Sequence, residues 1–253
     1  MTASHPGSTV NPSTPGRNMQ PPGATVAASP RHCMGTPPLG GSCLVCRLRE
    51  TLPGTDLVHD VRPHSWPAHS AIYQQGQSLG RVHAVCAGLG ALQQTSPHGG
   101  DRTLRLIEPG DVIGLEGLTG RVAQSQAIAL TTTHTCCMRI DLLLATARHT
   151  PWLAAELHAL WLRALTRADF VIAGLSTGPA RARVARLLAH LCDLSGPSHV
   201  PDLSRHDMAS LMALTTETVS RTMAALQREG AVQSRGALLI CRPDVLKMAS
   251  ELD

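Results

Sequence analysis

Two hydroxyl residues, Ser204 and Thr215, constrain the fold of the C-terminal region more than any other feature of the chain. Each stands where a helix can begin, because a side-chain oxygen there accepts from a backbone N–H that the first turn leaves without a partner. Ser204-Arg205-His206-Asp207 has the form of a capping box, with Asp207 placed to reach back. Met208, Leu211 and Met212 supply an apolar face, and Ala213-Leu214 is the only link before Thr215 caps a second helix running to about Arg228. Val219, Met223 and Leu226 fall on its buried side. Glu229-Gly230 stops it, and two apolar segments flanking Ser234-Arg235-Gly236 read as a hairpin wing.

Two short helices joined so tightly form a helix-turn-helix unit. Glu217, Ser220 and Arg221 are spaced i, i+3 and i+4, hence share one exposed face of the second helix. That face suits the major groove. Arg donates two bonds to a guanine edge, Glu accepts from cytosine N4, and Ser bonds base or phosphate. Thr216 joins this set at the helix start, and Arg205 and Arg228 are placed by position and charge for phosphate. From Ser176 onward nine basic residues meet eight acidic ones, so a general positive field is excluded as the source of affinity. Placed Arg side chains, helix N-termini and the avidity of a dimer must supply it.

The rest of the 253-residue chain divides by composition. Residues 1–40 hold eight Pro and five Gly without periodicity and read as a disordered tail. Residues 41–147 carry short strands: Arg81 to Cys86, Leu89 to Gln94, Thr103 to Ile107, and Gln126 to Thr135 continued by Cys136 to Ile140. Gly and Pro punctuation at Ser96 to Gly100 and Pro109-Gly110 points to a β-roll or barrel. Residues 148–177 read as one long helix opened by Pro151, with Leu153, Leu157, Leu160, Ala164 and Val171 as its stripe. That stripe suits either packing on the roll or dimerisation. Residues 178–253 hold the two-helix unit and wing. The fold class is α+β.

Aromatic residues make up only 2% of the chain, too few rings for a platform that stacks single-stranded bases. No uncharged run approaches a membrane span and no signal peptide is visible, so a cytoplasmic location with reduced thiols is expected. No nucleotide-binding Gly loop, paired-carboxylate motif or Cys–His nucleophile arrangement is present, and no enzymatic activity is expected. Cys43-Leu-Val-Cys46 is a C-x-x-C pair ahead of the roll, read as a loop whose amides can bond cluster sulfides. Two thiolates at that spacing can grip one metal site; a thiol–disulfide switch, structural zinc and haem are the other chemistries open to the set. Cys86, Cys192 and Cys241 read as small core residues.

The stretch Leu214-Thr-Thr-Glu-Thr-Val-Ser-Arg221 followed by Leu226-Gln-Arg-Glu-Gly230 resembles the recognition helix of Crp–Fnr transcription regulators, and its Glu-x-x-Ser-Arg pattern resembles the fumarate–nitrate reduction branch. Gly88 and Gly110-Asp111 match that family's roll glycines, and the resemblance covers about residues 43–250. It implies a cyclic-nucleotide-binding-like jelly roll, a dimerisation helix and a winged helix-turn-helix. It also implies a homodimer on double-stranded DNA with inverted TTGAT-type half-sites, read through Glu217, Ser220 and Arg221, and contact with RNA polymerase. Ala213 departs from the Gly usual in the interhelix turn.

The resemblance further implies a sensory [4Fe–4S] cluster on three N-terminal cysteines and one in a late roll strand. Here Cys43, Cys46 and Cys136 match, with Cys137 the neighbouring alternative for the last. The third N-terminal Cys is missing, Leu52 standing near its place, so Cys33 is the substitute. The implied signal is oxygen, nitric oxide or redox state. Cyclic nucleotide is not expected, because Glu116 to Ser125 contains no Arg-Ser or Arg-Thr pair to hold a cyclic phosphate. A reading of another class is a metal-binding adaptor whose C-terminal helices bind protein.

Overall fold

The computed structural model of the protein describes residues 43–95 and 101–251. The expected tail with Cys33, and the turn at 96–100, lie outside the described residues. The chain opens with two short helices, α1 (Leu44–Thr51) and α2 (Asp56–Asp60). Eight strands follow: β1 (Arg62–Trp66), β2 (Ala71–Tyr73), β3 (Arg81–Ala87), β4 (Gly90–Thr95), β5 (Asp101–Ile107), β6 (Val112–Ile113), β7 (Gln126–Ala129) and β8 (Thr133–Arg139). They form two four-stranded antiparallel sheets, in the orders β1-β8-β3-β6 and β2-β7-β4-β5. Their facing side chains, among them Trp66, Ile72, Tyr73, Val85 and Ile107, fill the interior of a roll.

The segment from Gln126 to Ile140 is not one strand. It leaves the second sheet after Ala129 and enters the first at Thr133. The crossing is fixed at Leu89, whose carbonyl accepts from Leu130 N, Thr131 N and the Thr133 hydroxyl. Gly88 makes this approach possible. Its φ is +85°, and a Cβ there would lie 2.3 Å from Thr132 O. The run of Thr residues that suggested continuous strand supplies hydroxyls for the corner instead.

Helix α3 (Ile140–Arg148) leads to α4 (Pro151–Asp169). The expected helix continues to Leu175, but residues Phe170–Leu175 form a wide π-turn. Leu153, Leu157 and Leu160 are buried in a cluster with α1 and the outer face of β3 and β8. Each buried Leu stabilises by about 1.5–3 kcal/mol, so this stripe anchors α4 to its own roll. A second apolar set, Leu162, Leu165 and Ile172, is exposed.

Arg186 Nη1 donates to the carbonyls of Gly174 and Thr177, closing the π-turn before Pro179 starts α5 (Ala180–Ser195). Then come β9 (Val200–Pro201), α6 (Arg205–Met212), α7 (Thr216–Arg228), the hairpin β10 (Val232–Arg235) and β11 (Leu238–Cys241), and α8 (Pro243–Glu251). The hairpin turn is Gly236-Ala237, a residue later than the sequence suggests, and β9 adds a third strand. Buried residues of α5, α6 and α7 share one core with Leu89, Ala91, Leu106 and Leu130 of the roll.

Candidate functional site

Both sequence-assigned caps form. Ser204 Oγ accepts from Asp207 N at 3.0 Å, and Thr215 Oγ1 accepts from Thr218 N at 3.1 Å. Asp207 does not reach back to the Ser204 amide. Its carboxylate accepts the Ser204 hydroxyl at 2.6 Å and lies 4.0 Å from His69 of the roll. Ala213 takes the left-handed conformation, with φ +51° and ψ +45°, so the turn keeps the geometry Gly usually supplies and carries its strain.

Helix α7 buries Val219, Met223 and Leu226 and exposes Thr216, Glu217, Ser220 and Arg221. Glu217 and Arg221 form an ion pair of 2.5 Å with about three-quarters of each side chain exposed. Such an exposed i,i+4 pair contributes about 0.3–0.5 kcal/mol, so a base edge can break it at little cost. Ser220 Oγ donates to the Thr216 carbonyl at 2.8 Å. Arg205 is held at 3.0 Å by Asp202 at the start of α6, and Arg228 is exposed at the end of α7. One helix face thus carries a carboxylate, a hydroxyl and a guanidinium side by side.

The C-x-x-C segment is not a loop. Cys43 is the N-cap of α1 and Cys46 lies in its first turn, because Val45 and Leu48 bury their side chains in the roll–α4 cluster and hold the segment helical. The expected supply of amides persists, since an α-helix gives its own first-turn N–H groups no acceptor. Cys43 Sγ and Cys46 Sγ are 3.5 Å apart. Cys136 points to the same cluster from β8, with its sulfur 3.7 Å from that of Cys86. Cys137 points to the other face, 3.6 Å from His64 Nδ1.

The structure therefore brings together two thiol pairs within one buried cluster, Cys43–Cys46 and Cys86–Cys136. Among the described residues, no three His, Cys, Asp or Glu side chains form a metal-holding group. Cys33 lies outside them. Cys86 is buried, as its apolar strand suggests; alternation places it on the same face of β3 as Ala84, the partner of Cys136, and only the pairing of β3 with β8 brings its sulfur to 3.7 Å from Cys136. Cys192 and Cys241 are buried in the C-terminal core, as their apolar surroundings suggest.

Two networks join this site to the rest of the molecule. Arg47, next to Cys46, donates to Glu156 of α4 at 2.5 Å and stacks 5.3 Å over Trp152. Burial would raise the Glu156 pKa, but Arg163 and Arg47 outweigh it and hold the carboxyl below its ordinary value. Farther along, Glu108 of the roll is fully buried and pairs with Arg167 of α4 and, at 2.5 Å, with His190 of α5.

A Crp-like helix-turn-helix domain model matches residues 182–249, and a cyclic nucleotide-binding domain model matches residues 63–149. The chain is 31% identical over 195 residues to the cyclic AMP receptor protein of Thermus thermophilus, covering 72% of this chain and 90% of that protein. It is 27% identical over 197 residues to the transcriptional activator protein FnrL of Cereibacter sphaeroides, covering 74% and 79%. A solved CRP-family transcriptional regulator of Thermus thermophilus superposes with a TM-score of 0.63 at 26% identity, over 74% of this chain and 95% of that one. The exposed polar face of α7, the roll that supports it and these likenesses agree: the chain is a DNA-binding transcription regulator of the Crp–Fnr family with FNR-like relatives, and not an enzyme.

Proposed function

We propose that this regulator senses oxygen or redox state through a cysteine-ligated [4Fe–4S] cluster and, as a homodimer, reads inverted repeats with TTGAT-type half-sites. The observation that carries the sensing role is that Cys43 and Cys136 belong to one apolar core, with Cys46 packed against it, beside the first-turn amides of α1. These three thiols and Cys33 are the ligand set, and Cys86 is a further thiol, its sulfur 3.7 Å from that of Cys136. Four thiolates suit such a cluster, which supplies oxidant-sensitive iron–sulfide bonds. Arg47 transmits a change at α1 to α4 through Glu156 and Trp152. The exposed Leu162 and Leu165 of α4, with Ile172 of the π-turn that follows, are the face for a second copy. Thr216, Glu217, Ser220 and Arg221 face the bases, with Arg205 at phosphate, and contact with RNA polymerase follows from the family.

Two relatives are named for cyclic AMP, but Glu116 to Ser125 forms a 3₁₀ turn and loop without the Arg-Ser or Arg-Thr pair, which favours the thiols over a cyclic phosphate. A second reading has its own support: sulfurs 3.5 and 3.7 Å apart need only a short approach to reach the ~2.05 Å of a disulfide. Iron and acid-labile sulfide analysis of protein prepared without air separates them. Stoichiometric iron and sulfide, lost in Cys43→Ala, supports the cluster. Absence of both, with free thiols disappearing on oxidation, supports the disulfide switch.

A further inference from the structure

Two thiols stand apart from the proposed cluster ligands, in the core of the DNA-reading unit. Cys192 lies in the last turn of α5, and Cys241 is the last residue of β11. The backbone brings them together. Gly196 N donates to the Cys192 carbonyl at 2.8 Å where the helix ends, and Cys241 N donates to the carbonyl of the next residue, Pro197, also at 2.8 Å. Their side chains meet in one apolar core, where the Cys241 thiol donates to the Cys192 sulfur. This bond lowers the Cys192 pKa against burial and the charge of Asp193, which raise it, and keeps the proton on Cys241. Thiolate is the nucleophilic form of cysteine. Cys192 and Cys241 remain 5% and 4% exposed beside Leu188, Leu191 and Leu239 at 1%, so the pair sits toward the margin of the core. Among the described residues no third His, Cys, Asp or Glu joins them in a metal-holding group, which leaves them the chemistry of two thiols.

We infer that Cys192 and Cys241 are a reversible oxidation site for hydroperoxides, and that their disulfide closes a covalent ring around the helix-turn-helix. The Cys192 sulfur attacks one peroxide oxygen, forming an S–O bond and breaking the O–O bond; the departing oxygen takes up the Cys192 proton. The Cys241 sulfur then attacks the sulfenic sulfur, forming the S–S bond, and the displaced hydroxide leaves as water with the Cys241 proton. Two thiols are oxidised and the hydroperoxide is reduced to an alcohol and water. A thiol reductant reverses the step by exchange. The ring spans residues 192–241 and encloses β9, α6, α7 and β10. Cross-linking so long a loop removes entropy from the unfolded chain. The face of α7 that carries Glu217, Ser220 and Arg221 points away from this core, so the bond leaves it free. The oxidised unit therefore still binds DNA and resists unfolding.

The test treats the full chain with hydrogen peroxide in thiol-free buffer, blocks the remaining thiols and maps the cysteines by mass spectrometry after trypsin. Arg205 and Arg235 lie between Cys192 and Cys241, so cleavage leaves the two on separate peptides. The expected product is one peptide linked to the other, lacking two hydrogens and released by dithiothreitol. The oxidised protein should melt about 4 °C or more above the reduced one, from a typical disulfide gain of about 2–4 kcal/mol. It should also hold an inverted-repeat duplex in urea that releases the reduced protein. Both gains should vanish in Cys192→Ala and in Cys241→Ala, which retain the other thiols. Mapping of the parent decides the matter should either variant fail to fold. Absence of the linked peptide after the other thiols have reacted overturns the inference, as does Cys192 joined to a different cysteine or found only as sulfinic acid. So does a linked protein that melts no higher than the reduced form, or a gain that persists in both variants.

Discussion

At the scale of single residues, the strained Ala213 and the half-buried His83 carry the clearest consequences. Left-handed backbone costs a non-Gly residue about 1–2 kcal/mol, while Gly adds about 0.4–1 kcal/mol of unfolded-chain entropy. Ala213→Gly is therefore expected to stabilise by about 0.5–1 kcal/mol, measured by urea denaturation. His83 sits against Trp66 and His64 in the roll, and burial, then the charges of His64 and Arg81, lower its pKa to about 3. The unfolded chain then binds the proton first as pH falls below about 6.5. The stability this neutral ring contributes is present above that pH and is lost progressively toward pH 3. His83→Gln should flatten that part of a stability–pH profile measured by denaturant titration. The capping hydroxyls and the Glu217, Ser220 and Arg221 face were legible in the sequence because each depends on neighbours within four residues. The nearness of Cys86 to Cys136 was not, because it depends on the pairing of β3 with a strand fifty residues away.

At the scale of elements, α4 carries two apolar faces where the sequence pattern showed one stripe. Leu153, Leu157 and Leu160 hold it to the roll, and Leu162 and Leu165 stay exposed, continued by Ile172 of the π-turn. Periodicity marks a residue as apolar and facing something; it does not say whether that is the same chain or another copy. Leu165→Glu places a charge in the outward face, so sedimentation should show a shift from dimer toward monomer while the melting temperature of the subunit changes little. The C-x-x-C segment was misread for a related reason. Cys43 to Cys46 is too short to show a helical period, and only the burial of Val45 and Leu48 makes it a helix. Arg47 makes that helix answerable to α4, so Arg47→Ala should leave iron loading intact and weaken the dependence of dimerisation on air exposure.

At the scale of the whole molecule, the roll and the DNA-reading unit are one packed body. Leu89, Ala91, Leu106 and Leu130 share a core with α5, α6 and α7, and Thr103 meets Ser210 at 2.9 Å. Glu108 is the polar centre of that junction. Glu108→Gln removes one of the two buried carboxylates that hold Arg167, Asp111 remaining, together with the carboxylate partner of His190, and is expected to cost about 1–3 kcal/mol of stability, seen as a lowered denaturation midpoint. None of this junction can be read from the sequence, since its partners come from β5, α4 and α5 with no local pattern among them. The central claim remains that one exposed turn of α7 reads base edges. Fluorescence anisotropy with an inverted TTGAT duplex and a scrambled duplex, at fixed salt, tests it most directly. The parent protein should prefer the inverted repeat, and Arg221→Ala should cost about 1–3 kcal/mol per half-site on that duplex alone, leaving the scrambled one unchanged. Equal affinity of Arg221→Ala and the parent for the inverted repeat would contradict it.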